Sequence, residues 1–156
     1  MARLEIGDTA PAFSLLDQDE NKVALKDFRD DRVILYFYPA DDTPGCTKEA
    51  CQFNDELGAF KKLGVKVIGI SPNGSEDHVA FRKNYGLKFT LLSDPTKKIM
   101  SAYGAYGEKM MYGKKVIGVI RSTFIISPKG KIEATWYGVR ADGHAAKVLA
   151  ALNELS

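Results

Sequence analysis

Apolar and polar positions along this chain switch between the two-residue period of a strand and the three-to-four-residue period of a helix, and the switch points mark the elements. FSLLDQDENKVAL, residues 13 to 25, reads as a hairpin around a polar turn. RVILYFYP, residues 32 to 39, is a nearly continuous apolar run, as expected of a strand buried on both faces. A helix is predicted from Thr43 to Leu63, with Ala50, Phe53, Leu57 and Phe60 on one side. The strand VKVIGIS (65 to 71), a helix near 75 to 85, the strand FTLLSD (89 to 94) and a helix near 96 to 103 follow. VIRSTFIIS (119 to 127) and KIEATWYGV (131 to 139) alternate as strands joined by the turn PKG, and GHAAKVLAALNELS closes the chain as a helix.

This order predicts one domain over residues 1–156 of class α/β, a three-layer sandwich with a central mixed sheet and an N-terminal β-hairpin. At 156 residues and 45% hydrophobic, the chain can bury a core without needing a disulfide. Its 22 basic and 20 acidic residues leave a net charge of +2 with no run of five like charges, so no nucleic-acid footprint stands out, and Lys114-Lys115 reads as a solvated loop. MARLEIGDTAPAFSLL lacks the continuous apolar segment of a secretory signal, and no stretch approaches a membrane-spanning length. The expectation is a cytoplasmic protein with no membrane partner.

PADDTPGCTKEAC, residues 39 to 51, holds both cysteines. They can be a structural staple, metal ligands or working thiols. A reducing cytosol disfavours the staple. Structural zinc needs four ligands, and the only histidines, His78 and His144, are distant in sequence and read as surface helix residues. The stretch follows the first buried strand, where open α/β sheets place their ligand sites.

Thr43 and Pro44 read as an N-cap followed by proline at the first helical position, which puts Cys46 in the first turn. Free N–H groups and the positive end of the helix dipole favour a thiolate there. At ~100° per residue Cys46 joins the apolar face of Ala50 and Phe53, while Cys51 points ~140° away, among Asn54, Asp55 and Gly58. Five residues of helix rise ~7.5 Å, too far for a disulfide unless the first turns unwind. Making an ordinary thiol mostly thiolate at neutral pH takes nearly ~3 kcal/mol, and a helix end supplies at most about 2 kcal/mol. A cation is therefore expected nearby, and Arg121 is the candidate because it interrupts the apolar run GVIRSTFII. The alternative is an edge-strand arginine in solvent.

Pro39, Thr43 and Cys46 in PADDTPGC match the P-x-x-x-T-x-x-C signature of peroxiredoxins, and TPGCTKEAC resembles the Q-type group, the bacterioferritin comigratory proteins. The resemblance extends through GDTAPAFSL, GISPNGSEDHVAFRKNYGLKFTLLSD and YGEKMMYGKKVIGVIRSTFII. It implies a thioredoxin-like fold and reduction of hydrogen peroxide and alkyl hydroperoxides with no metal, haem or other cofactor. By resemblance Cys46 is the peroxidatic thiolate and Cys51 the resolving thiol, their disulfide being recycled by thioredoxin or a similar dithiol reductant. Thr43 then hydrogen-bonds the peroxide, Arg121 stabilises thiolate and departing oxyanion, Glu49 orients the arginine, and Pro39 shields the site. No further cysteine lies in a C-terminal arm, which favours a monomer.

The loop YGAYGEKMMYG, residues 103 to 113, either rims a pocket for bulky hydroperoxides or packs as ordinary surface. Two other readings stand beside the peroxidase: a thioredoxin-like dithiol exchanger, whose usual C-x-x-C spacing is missing here, and a holdase or interaction module without turnover.

Overall fold

The computed structural model describes residues 3–155; Met1, Ala2 and Ser156, at the ends of the expected domain and final helix, lie outside it. Ser14–Asp17 (β1) and Lys22–Ala24 (β2) form the predicted hairpin and join Arg32–Phe37 (β3), Val65–Ser71 (β4), Thr90–Ser93 (β5), Ser122–Ile126 (β8) and Ile132–Tyr137 (β9) in one sheet. Its order is β2-β1-β5-β4-β3-β8-β9. β3, β4 and β5 run parallel, while β1, β8 and β9 pair antiparallel, which makes the sheet mixed.

The continuous apolar run of β3 serves both faces. Ile34, Tyr36 and Tyr38 point to one core with the helices Pro44–Asp55 (α1), Leu57–Lys62 (α2), Ser75–Tyr85 (α3) and His144–Leu155 (α5). Val33, Leu35 and Phe37 point to the other, covered by the N-terminal segment and Lys98–Ala102 (α4). This is the three-layer sandwich read from the sequence. Tyr36 stacks on Phe53 at 4.7 Å between ring centroids, so α1 is fastened directly to the central strand.

Four expectations are corrected. The single helix from Thr43 to Leu63 is two, broken at Glu56, whose backbone (φ −94°, ψ 2°) leaves the α region, so that Phe60 is still buried beside the start of β4. The stretch 103 to 113 is not a loop: Tyr106–Met111 (β6) pairs with Lys114–Val119 (β7) in a separate two-stranded ribbon, turned by Tyr112 and Gly113, both at positive φ. Lys114 and Lys115 are therefore exposed strand residues. The strand expected at 119 to 127 is divided accordingly, with Ile120 and Arg121 joining β7 to β8.

The histidines are buried, not on the surface. Each finds partners that sequence spacing hides. His78 places its ring between Asp41 Oδ2, 2.6 Å from Nδ1, and the Leu92 carbonyl, 3.0 Å from Nε2. His144 meets Thr123 Oγ1 at 2.8 Å through Nε2 and packs edge-on against Phe53 and Trp136. Burial, with Lys147 and Arg121 adding, lowers the pKa of His144 from 6.5 to about 4.

Between those two values the unfolded chain binds a proton that the folded chain refuses, so this residue withdraws stability as pH falls from 6.5 to about 4. Denaturant unfolding of wild type and His144→Gln at a series of pH values is expected to show a wild-type advantage at pH 7 that narrows through this window. The comparison is by difference because Glu49, pushed up from 4.5 to about 7, acts in the opposite direction over an overlapping range.

Candidate active site

The site lies where β3 ends and α1 begins. Pro39 and Ala40 leave the strand, Asp42 turns the chain at φ +62°, and Thr43 enters the helix from an extended conformation. Pro44 occupies the first helical position, where its missing N–H costs nothing. Thr43 is the N-cap by backbone position, but its side chain makes no capping bond: Oγ1 donates to the Ala40 carbonyl at 2.9 Å. That departs from the expected cap and leaves the lone pairs of Oγ1 and the N–H groups of Gly45 and Cys46 as the polar equipment of the first turn.

Cys46 is only 2% exposed and packs in the core with Ala50 and Phe53. Arg121 Nη2 donates to its Sγ at 3.3 Å, and Nη1 donates to Glu49 Oε1 at 2.7 Å. The arginine is thus a partnered cation with a side chain 17% exposed, which removes the solvent-facing alternative. It comes from the β7–β8 junction, not from within a strand, and its carbonyl accepts from the Val139 N–H at 3.0 Å. Gly45 eases this approach, since a Cβ there would sit 3.3 Å from Arg121 Nη2, tighter than an ordinary contact. Close approach is a role that the Pro-Gly step in the sequence did not reveal.

Glu49 is completely buried one helical turn after Cys46. Its Oε2 has no hydrogen-bond partner among the described residues, and burial pushes the carboxyl up to about 7 against the opposing pull of Arg121. Burial opposes the charge on Arg121, but its coulombic interactions with Glu49 and Cys46, and then its hydrogen bonds to both, hold its pKa above the ordinary value. The guanidinium is therefore a permanent positive charge in contact with Cys46. Burial, then Asp55, pushes the Cys51 thiol up.

Cys51 lies in the same unbroken helix and is half-buried, less open than its expected outward position, and both cysteines are free thiols. The helix brings Thr43, Cys46 and Glu49 together with Arg121, and keeps Cys51 apart. Pro39 and Arg121 line a cavity of about 460 Å³ with Met110, Met111, Val119 and Ile120. The ribbon β6–β7 thus walls the cavity beside the cysteine turn. What the arrangement can do is hold a sulfur anion against a fixed cation and helical N–H donors, with a partly apolar approach for a second molecule.

Residues 6–135 match the AhpC/TSA family. A putative peroxiredoxin of Mycobacterium tuberculosis is 57% identical over 146 residues, 94% of this chain and 93% of its own length. Peroxiredoxin Bcp of Escherichia coli is 43% identical over 154 residues, 99% of either chain. Among solved structures, Xanthomonas campestris bacterioferritin comigratory protein superposes with a TM-score of 0.86 at 38% identity, covering 92% of this chain and 91% of its own. A PrxQ variant of Xylella fastidiosa gives a TM-score of 0.92 at 34% identity over 99% of each chain. The sequence matches, the thioredoxin-like sandwich they share and the cysteine turn at the C-terminal end of β3 lead to one assignment: this chain belongs to the AhpC/TSA family, in the Bcp or peroxiredoxin Q group of thiol-dependent peroxidases.

Proposed function

We propose that the protein reduces hydrogen peroxide and alkyl hydroperoxides through Cys46, resolves the product with Cys51 and is recycled by thioredoxin or a similar dithiol. The observation that carries this reading is the guanidinium of Arg121, 3.3 Å from Cys46 Sγ and clamped at 2.7 Å by the buried Glu49. A cation fixed in advance stabilises the thiolate, and it stands ready for charge developing on the departing oxygen when sulfur attacks the O–O bond. Thr43 Oγ1, its own proton directed to Ala40, is left as an acceptor for the peroxide O–H. Pro39 and the methionines of the ribbon supply the apolar part of a wall that also carries Arg3, Glu108 and Lys109; that part suits an alkyl group, and alkyl peroxide reduction activity is described for the Xanthomonas campestris bacterioferritin comigratory protein.

In this scheme Cys46 becomes a sulfenic acid. It condenses with the Cys51 thiol, releasing water, once the first turns of α1 unwind; an external dithiol then reduces the disulfide. Because both cysteines belong to one helix, the cycle is complete within one chain, which supports a monomer. We place this cycle in a reducing cytoplasm, where a cycling disulfide, not a permanent one, has a use.

Arg121→Ala is expected to slow peroxide reduction about 100- to 1,000-fold, the usual cost of removing one fixed donor from a developing anion. Rapid-mixing rates against hydrogen peroxide check it, and a wild-type rate would remove Arg121 from the site. Cys51→Ser is expected to complete one turnover, seen as loss of one peroxide per protein, and then to stall with thioredoxin as reductant. Sustained wild-type cycling of that variant would show that Cys51 is not the resolver.

A further inference from the structure

Resolution through Cys51 requires the start of α1 to open; besides the Arg121 bonds to Cys46 and Glu49, which lie inside the segment that moves, the contacts that keep it shut fall into two kinds. The first is buried. Asp41 accepts from Tyr38 Oη at 2.6 Å through Oδ1, lies 2.6 Å from His78 Nδ1 through Oδ2, and donates its N–H to Asn73 Oδ1 at 2.9 Å. Its side chain is 4% exposed, and opening this knot would strand several polar groups away from water. The far end of the helix is also sewn down, by four bonds that lie at the surface. Asn54 donates to the Gly86 carbonyl at 3.0 Å and accepts from the Lys88 N–H at 2.8 Å, while Gln52 donates to Asp142 and accepts from the Gly143 N–H, both at 2.8 Å.

The second kind is exposed. Tyr85, at the last position of α3, donates its hydroxyl to Asp42 Oδ1 at 2.5 Å. It reaches across to the residue immediately before Thr43. Both side chains face solvent, so water can replace this contact at once when it breaks. Local opening proceeds where a single solvent-replaceable contact holds the chain; the buried knot at Asp41 marks one end of the segment that moves, and the four surface bonds at Gln52 and Asn54, which must break together, mark the other. Hydrogen bonding to Asp42 also raises the Tyr85 pKa above its ordinary value, which keeps the phenol a donor.

We infer that Tyr85 is a positioning residue for the redox cycle: by clasping Asp42 it holds the first turns of α1 closed and so sets how fast the Cys46 sulfenic acid reaches Cys51. The inference rests on Cys51 being the resolving thiol. The chemistry it governs needs no further reagent. Attack by the thiolate on a hydroperoxide gives the sulfenic acid and an alcohol or water. Condensation of that sulfenic acid with the Cys51 thiol forms the S–S bond and expels water. A sulfenic acid that waits can instead meet a second peroxide and become a sulfinic acid. The clasp divides Cys46 between those two fates without touching the peroxide.

The test uses the full chain carrying Tyr85→Phe, which deletes the hydroxyl and keeps the ring packed edge-on against Phe81 at 5.6 Å. Reduced protein is mixed with hydrogen peroxide, quenched at intervals and analysed by mass spectrometry for thiol, trapped sulfenic acid, disulfide and sulfinic acid. Sulfenic acid is expected to form at the wild-type rate, the Cys46–Cys51 disulfide roughly three- to tenfold faster, and sulfinic acid at high peroxide to fall in proportion. Asp42→Asn, which keeps an acceptor without its charge and suits the positive φ, is expected to lie between the two. An unchanged disulfide rate in Tyr85→Phe, with the disulfide forming normally in wild type, overturns the clasp and leaves the role of Cys51 standing. A slowed first step overturns it by moving Tyr85 into the peroxide site. Wild-type protein that forms no such disulfide removes the reading beneath the inference as well.

Discussion

The position of one guanidinium governs this site. Arg121 carries a charge that cannot be given up, and it spends that charge on two groups that are both withdrawn from water, Cys46 and Glu49. Removing either partner leaves the other contact to hold the arginine alone, and removing the arginine leaves a carboxyl and a thiol in a dry interior. The arrangement requires the junction after β7 to stay in register with the first turn of α1, and the bare Gly45 leaves the guanidinium room where the two pass. Sheet, ribbon and helix are thus coupled through a group of a few atoms.

That coupling sits on a helix with opposing demands. To position the sulfur, α1 must be rigid, and its stack of Phe53 on Tyr36 anchors it to a central strand buried on both faces. To complete the proposed cycle, the same helix must open at the start. The structure separates the two demands along the chain: apolar anchoring from Ala50 onward, and polar, partly solvated fastening before Cys46.

What could be read from the sequence follows this division. β3 was legible because a strand buried on both faces leaves no polar gap, Cys46 because it falls in the first turn of a helix after that strand, and Arg121 because it interrupts an apolar run, whereas Glu49 was reached only through the family resemblance. The ribbon β6–β7 was not, since both its faces carry exposed apolar and charged residues, Met110, Tyr112, Ile117 and Lys115 among them, and so no alternation marks it. The break at Glu56 left no sign because the helical period continues through it. The burial of His78 and His144 depends on Asp41, Leu92 and Thr123, partners that only the fold brings near. Tyr85 and Asp42 resemble any polar surface pair until their separation is seen.

The ring of His144 lies edge-on between Phe53 of α1, at 6.0 Å, and Trp136 of β9, at 5.6 Å, and Trp136 is the chain's single tryptophan. An indole emits according to the polarity and packing of its immediate shell, and here that shell touches the cysteine helix through one imidazole. The molecule consequently carries its own optical gauge of whether α1 is seated: intrinsic fluorescence follows a movement of the cysteine helix from the opposite side of the core, with no added label.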